Sequence, residues 1–284
     1  MVPRGAPHRR REAVAVPANG ASTADVLVLG AAGFVGSALV AEARARGLSV
    51  LPVTRDTYQP GLAARWLINA NGNSKKFLAR EQPAREFDLS VRSVMQSLHD
   101  FRFERYVFLS TIDVYDNVRD PAANTEGAII RRDRLSAYGL HKLMAEDLVR
   151  HHAPEWLVLR MGGFVGPGLR KNSIYDLLTG APLRVHPDSR YQYQHTRVLA
   201  ATALDLLAEG ATRDIWNIAG RGTISVREMA AWVPGARLPD AVPSTPEHYE
   251  INIDKLAARQ PVASTVDTVR RFIDDVLAGR ETLS

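Results

Sequence analysis

Tyr138 and Lys142 stand four residues apart in the run Tyr138-Gly139-Leu140-His141-Lys142, a spacing that puts both side chains on one face of a helix. That pairing suits proton transfer. A phenol with an ordinary pKa of ~10 exchanges its proton near neutrality only when nearby positive charge favours the phenolate, and a lysine at this spacing offers that charge. A Tyr-x-x-x-Lys pair alone is common and usually structural. Here it follows an apolar strand, Arg105-Tyr106-Val107-Phe108-Leu109, that ends in Ser110-Thr111. A second tyrosine, Tyr115, has no lysine four residues on and reads as structural.

The elements that would position these groups begin upstream. Val26-Leu27-Val28-Leu29 is a short continuous apolar run, suited to a strand buried on both faces of a parallel sheet. It leads into Gly30-Ala31-Ala32-Gly33-Phe34-Val35-Gly36, then an Ala/Leu/Arg-rich helical stretch to Arg46 with Gly47 as its C-cap. Glycines permit the tight turn and let backbone N–H groups approach a pyrophosphate, while the helix N-terminus adds a favourable dipole. In this strand–turn–helix context the GxxGxxG spacing predicts a dinucleotide, contacted by Gly30, Gly33, Phe34, Val35 and Gly36.

A second strand over Ser49–Thr54 lacks the Asp or Glu that would hold a ribose 2′-hydroxyl. Thr54 and Arg55 stand there instead, an arrangement that suits a 2′-phosphate and favours NADPH over NADH, with NADH still possible. The competing readings of Arg55 are stacking on adenine and pointing into solvent. Only about a dozen residues separate Arg55 from the next strand, Trp66–Asn69, too few for a crossover helix plus another strand. The sheet is therefore expected to be abbreviated on this side. Asn69, at that strand's end, is expected to be a further cofactor contact.

With 284 residues, 45% hydrophobic and 24% charged, the chain has the composition of a soluble globular protein. No run of ~18 consecutive apolar residues occurs, which excludes a transmembrane helix. The absence of cysteine excludes disulfides, thiolate catalysis and thiolate-bound metals; it is compatible with the cytoplasm, the expected location. Net charge is +5, but Arg4, Arg9, Arg10 and Arg11 crowd the first eleven residues. That distribution argues for a solvated tail over residues 1–24 rather than a nucleic-acid surface. No apolar core of ~7–15 residues follows these arginines, so a secretory signal is not expected. Only five of the 36 basic residues are lysines, consistent with the codon bias of a GC-rich genome. No set of carboxylates and histidines has ligand spacing, and His151 and His152, being adjacent, point to different helical sides; no metal site is expected.

Taken together, the glycine motif, the strand ending in Ser-Thr and the Tyr–Lys pair become specific. Over roughly residues 25–235 the chain resembles the extended short-chain dehydrogenase/reductase family, in its NAD-dependent epimerase/dehydratase branch. The resemblance rests on GAAGFVG at 30–36, STIDVY at 110–115, YGLHK at 138–142, LVLRMGGFVGPG at 157–168 and WNIAG at 216–220. It implies an α/β fold: a Rossmann-type parallel sheet with helices on both faces and a small C-terminal substrate lobe. The dinucleotide domain would span 25–163 with 198–220 returning to it, and 164–284 would be mainly the lobe. The resemblance also implies Tyr138 as general acid/base, Lys142 as the group that holds the nicotinamide ribose and lowers the tyrosine's pKa, and Thr111 as partner of the reacting oxygen. Met161 opens a loop that contacts nicotinamide in the family. A homodimer through the Tyr138 helix and the preceding Ala84–Asp100 helix follows from the same likeness.

Departures from the family pattern carry information. Sugar-nucleotide dehydratases place an acidic pair after the catalytic Thr; here the first position is Ile112, which does no acid–base chemistry, and Asp113 holds the second. Asp113 is left with two readings, a substrate-orienting group or base, and a loop cap. Ser90 replaces a frequent Asn, and Arg197 falls where an aspartate is usual. Arg184 or Arg190 would have to serve as the diphosphate-clamping arginine. Phe164, Asn172, Arg184 and His195 join Asp113 as candidate substrate contacts, His195 having also a purely structural reading. Three functions follow: an NADPH-dependent ketoreductase of a sugar-like substrate, nucleotide-linked or a free glycoside; an epimerase that recycles its cofactor; and a non-catalytic nucleotide sensor. The intact Thr-Tyr-Lys set argues against the third, and a 2′-phosphate site favours the first.

Overall fold

The computed structural model describes residues 24–239 and 245–283. The stretch read as a basic tail lies outside them except for Ala24, whose carbonyl accepts the Arg65 N–H at 3.0 Å. The first layer holds strands β1 (Val26–Leu29), β2 (Val50–Val53), β3 (Ala63–Asn69), β4 (Arg102–Thr111) and β5 (Trp156–Met161). Helix α1 (Phe34–Ala45) links β1 to β2; α2 (Leu78–Glu81), α3 (Pro83–Phe87) and α4 (Ser93–Asp100) lie between β3 and β4, and α5 (Ala137–His152) between β4 and β5. The lobe and the return comprise β6 (Gly163–Val165), α6 (Ser173–Thr179), β7 (Arg190–Tyr191), β8 (Tyr193–His195), α7 (Thr196–Ala208), β9 (Asp214–Ile218), β10 (Ile224–Ser225), α8 (Val226–Ala230), β11 (His248–Tyr249), α9 (Asp254–Arg259) and α10 (Thr265–Leu277).

Six strands form one parallel sheet in the order β2-β1-β3-β4-β5-β9. The order reverses at β1, and the C-terminal ends of β1 and β3 flank the crevice where open α/β sheets bind ligands. β2 is the edge, and the 54–62 link beyond it contains neither helix nor strand, so the sheet is abbreviated on the expected side.

Alternation along each strand feeds two cores. Val26, Val28, Ile68, Val107, Leu109, Leu157 and Leu159 meet α1 and α7 on one face. Leu27, Leu29, Leu67, Tyr106, Phe108 and Val158 meet α4 and α5 on the other. That double burial explains why β1 reads as an unbroken apolar run. A third cluster, including Val165, Ile174, Tyr193, Val226 and Phe272, is the core of the lobe. Leu256 of α9 packs into the sheet core, so the chain returns to the first layer a second time after 198–220.

The predicted continuous helix over 84–100 is broken by a π turn at Asp88–Arg92 between α3 and α4. Such turns widen a helix locally and cluster at functional sites. This one presents Ser90 to the buried Glu86, to which its hydroxyl donates.

Candidate functional site

The glycine turn is built for close backbone approach. Gly30 has φ +78°, and a Cβ there would lie 2.8 Å from the Ala70 carbonyl oxygen. A Cβ on Gly36 would lie 2.1 Å from the Gly30 carbonyl oxygen, so α1 can start this close to β1 only with glycine. The N-terminus of α1 has Gly33 as N-cap, no side-chain cap and no acidic residue in its first turn. Its first N–H groups thus have no side-chain acceptor and carry the positive end of the helix dipole. A dinucleotide pyrophosphate fits this cradle. The Gly30 and Ala31 N–H groups bond the Val53 carbonyl at 2.9 and 3.2 Å, fixing the end of β2 beside the turn. There the Thr57 hydroxyl accepts the Thr54 N–H at 2.9 Å, and Arg55 is exposed.

Helix α5 brings Tyr138 and Lys142 to the same crevice. Ser136 caps it by accepting the Gly139 N–H at 3.1 Å. Gly139 lets the helix sit against the turn after β4, since a Cβ there would lie 2.1 Å from the Asp113 carbonyl oxygen. Both Tyr138 and Lys142 are buried. The Lys142 ammonium donates to the Leu109 carbonyl at 2.9 Å and lies 4.2 Å from the centre of the Phe108 ring. Burial pulls its pKa down to about 8, against the pull of Glu146 and Glu86.

The Tyr138 hydroxyl donates to the Asn73 carbonyl at 3.1 Å. Its pKa is pushed up, first by burial and then by the negative charges of Asp113 and Glu86. Burial is thus the largest influence on the phenol, the two carboxylates follow, and the Lys142 ammonium is turned to the end of β4. Thr111, at the end of β4, donates to Asp113 Oδ2 at 2.7 Å and accepts the Asp113 N–H at 3.2 Å. Asp113 also takes Lys76 Nζ at 2.7 Å, and its carboxylate raises the Tyr249 pKa after burial does. The structure therefore brings Thr111, Asp113, Tyr138 and Lys142 together.

Other candidates are drawn elsewhere. The Asn69 side chain is turned inward: its amide donates to the Tyr106 hydroxyl at 2.6 Å and its oxygen accepts the Asn71 N–H at 2.9 Å. Asn172 is the N-cap of α6, with Oδ1 accepting the Ile174 and Tyr175 N–H groups at 3.0 Å each, so its side chain is spent on the helix. Phe164 is buried in the core between the sheet and α1, with Ala31 of the glycine turn in the same cluster. His195 accepts the Arg197 N–H at 3.1 Å, capping α7, and lies 3.6 Å from Glu281. It lines a separate cavity of about 270 Å³ with Phe272, Asp275 and Glu281, which contains none of the crevice groups. Arg190 is tied to Thr223 at 3.1 Å and Glu228 at 3.0 Å. Arg184 is exposed and acts on Asp176, while Met161 is half-buried against the sheet core.

Sequence reasoning missed the loop 71–76 after β3. Asn73, Ser74 and Lys76 from this loop meet Tyr138, Lys171 and Asp113. It also missed Glu86, fully buried one helical turn from Ser90 and paired with His141 on α5. The one signal for the loop was its pair of lysines in a lysine-poor chain. Among the described residues no group of three or more His, Asp or Glu is placed to hold a metal ion, and no helix is long and apolar enough to cross a membrane.

The sequence profile of the NAD dependent epimerase/dehydratase family matches residues 26–88 and 67–219. No curated protein matches the chain in sequence. Among solved structures, a UDP-galactose 4-epimerase is similar with a TM-score of 0.73 at 21% identity, over 90% of this chain and 99% of that one. An NAD dependent NDP-hexosamine 5,6-dehydratase involved in tunicamycin biosynthesis gives 0.73 at 19% identity, over 90% and 98%. The dTDP-4-dehydrorhamnose reductase from Bacillus anthracis in complex with NADP gives 0.74 at 14% identity, over 90% and 99%. At these identities the likeness is one of fold.

Proposed function

The chain belongs to the NAD dependent epimerase/dehydratase family, and from that premise we propose that it is an NADPH-dependent ketoreductase of a sugar-like ketone. The observation that carries this reading is the convergence of Thr111, Tyr138 and Lys142 at the crevice beside the glycine turn. When bound, the nicotinamide supplies a hydride to the carbonyl carbon. Tyr138 gives its hydroxyl proton to the carbonyl oxygen, and Thr111 orients that oxygen once its own hydrogen bond to Asp113 is exchanged. Lys142 holds the ribose hydroxyls through its ammonium. The Tyr138 phenol, its pKa raised by burial and then by two carboxylates, holds its proton at neutral pH in the free protein, and the positive charge of Lys142 beside it is what would let it give that proton up.

The sugar-like substrate is supported by the company of fold neighbours, whose names include a UDP-galactose epimerase and a dTDP-4-dehydrorhamnose reductase. Dehydration by an acidic pair finds no support, because the buried Ile112 occupies the first position of that pair. Preference for NADPH rests on Arg55, exposed at the end of β2. We assign residues 25–163 and 198–220 to the dinucleotide domain and most of 164–284 to the lobe. A homodimer through α4 and α5 is part of the same reading: Phe87, Val91, Met95, Met144 and Leu148 line an open apolar groove of about 480 Å³ there.

The test compares NADPH and NADH binding by nucleotide fluorescence, then follows NADPH consumption over a panel of keto-sugars and their nucleotide derivatives. Tighter NADPH binding and one-to-one consumption with alcohol product are expected. Equal binding of both dinucleotides refutes the cofactor assignment, and product formed without NADPH consumption favours the epimerase.

A further inference from the structure

Only five lysines occur among the 36 basic residues of the chain. Four of them gather at the crevice: Lys142 of the tyrosine–lysine pair, and Lys75, Lys76 and Lys171 around its mouth. These last three come from two segments far apart in sequence, the loop 71–76 and the residue before the cap of α6. Lys171 Nζ donates to the Ser74 carbonyl at 2.8 Å, which clips the loop to the lobe. Lys76 Nζ lies 2.7 Å from Asp113 Oδ1 and 4.8 Å from the centre of the Tyr249 ring. Among the described residues the Lys75 ammonium has neither ion pair nor hydrogen bond, though it is close enough, with Lys76, to lower the pKa of Lys171 after burial has done so.

Three ammonium groups thus lie close enough to act on one another, and among the described residues only that of Lys76 has a carboxylate partner, Asp113. Holding like charges together is unfavourable, and an anion placed among them relieves the repulsion. A lysine ammonium is a compact charge with three rotatable donors, able to follow an anion in more than one pose, where an arginine fork demands a fixed geometry. The location narrows what the anion belongs to. Asn73 accepts from the Tyr138 hydroxyl, and its neighbour Ser74 accepts from Lys171. Lys76 pairs with the same Asp113 that takes the Thr111 hydroxyl. The cations therefore lie beside the reacting position, not at the far end of a nucleotide.

We propose that Lys76 and Lys171, with Lys75 beside them, bind an anionic group, a carboxylate or a phosphate, that the substrate carries close to the carbon undergoing reaction. The anion takes Lys76 from Asp113 and Lys171 from the Ser74 carbonyl. Exchange at these two contacts releases the loop 71–76 from the lobe, so that the substrate carbonyl replaces that of Asn73 on the Tyr138 hydroxyl. This rests on the ketoreductase reading for the identity of the reacting position; the anion site itself stands on the lysines.

The test titrates the protein, saturated with NADPH so that the N-terminus of α1 takes no probe, by calorimetry at matched ionic strength. Glucuronate is set against glucose, UDP-glucuronate against UDP-glucose, and glucose 6-phosphate serves as the phosphate arm. The acidic probe of one arm is expected to bind about ten-fold or more tighter than its neutral partner, and which arm responds distinguishes carboxylate from phosphate. Lys76→Gln and Lys171→Gln, both exposed positions, should each remove most of that preference while circular dichroism stays unchanged. Acidic probes that bind no tighter than neutral ones, or a preference that survives in both variants, overturn the proposal. NADPH fluorescence reports separately on the cofactor reading. If NADPH fails to bind, the same lysine comparison is made on the free chain and still decides.

Discussion

Glu146→Gln would strip the charge from a carboxylate that is fully buried on α5 and leave the Arg160 guanidinium of β5 stranded opposite it. Arg160 is 2% exposed and Glu146 0%. The guanidinium donates to the two carboxylate oxygens at 2.7, 3.1 and 3.3 Å and to the Tyr115 hydroxyl at 3.0 Å, and the Ser110 hydroxyl also donates to Glu146. One carboxylate thus joins α5, β4 and β5 directly behind the crevice. Removing one partner of a buried pair costs about 3–5 kcal/mol, because the other charge stays desolvated. With a urea m-value of about 3 kcal/mol/M, the unfolding midpoint should fall by roughly 1 M or more. The double variant Glu146→Gln/Arg160→Met removes the stranded charge and should recover much of the loss. Glu146 also supports the Lys142 ammonium, so the single variant should shift the basic limb of any activity profile to lower pH. Urea unfolding by circular dichroism measures the first effect. A single variant that loses less than about 1 kcal/mol, or a double variant no better than the single, refutes the reasoning.

Arg55→Ala should erase most of the preference for NADPH over NADH, a charge-assisted contact of ~1.5–3 kcal/mol being worth roughly ten- to a hundred-fold in affinity; fluorescence titration of both dinucleotides measures it. Lys142 has a folded pKa of about 8, below its ordinary 10.5, so between those values the unfolded chain binds more protons and stability rises with pH. Lys142→Met should abolish that rise in pH-dependent unfolding, while wild-type turnover, which needs the ammonium, should fall as pH passes about 8. Leu148→Glu, placing a charge in the groove between α4 and α5, should convert a dimer to a monomer in sedimentation; a wild type already monomeric contradicts the groove's assignment.

The parts of the fold visible in sequence are those whose cause is local. The apolar run of β1 is continuous because both its faces are buried, and the glycine spacing records the approach of α1 to Gly30. Tyr138 and Lys142 share a crevice because four residues make about one helical turn. Asp113 was visible as the retained second position of the acidic pair, but its lysine partner was not: the two are joined only when the loop after β3 folds over the turn after β4. The Glu86–His141 pair is equally non-local, bringing together α3 and α5. Asn172 and His195 were ambiguous in sequence for a different reason. A polar residue that caps a helix and one that meets a substrate look the same in sequence, and only the N–H groups at 2 and 3 residues' distance, found at hydrogen-bonding range, separate them. Phe164 was placed at the crevice by family position, and its burial in the sheet core could not be read from the sequence.

The most direct measurement follows NADPH absorbance and product together, for wild type and Tyr138→Phe, over the keto-sugar panel. The substitution keeps the buried ring and removes only the hydroxyl, so folding and NADPH affinity should be retained. Wild type should consume NADPH one-to-one with alcohol formed, and Tyr138→Phe should be slower by at least ~100-fold, the lower end of what general acid catalysis contributes. Near-normal turnover by Tyr138→Phe would contradict the assignment of Tyr138 as the proton donor.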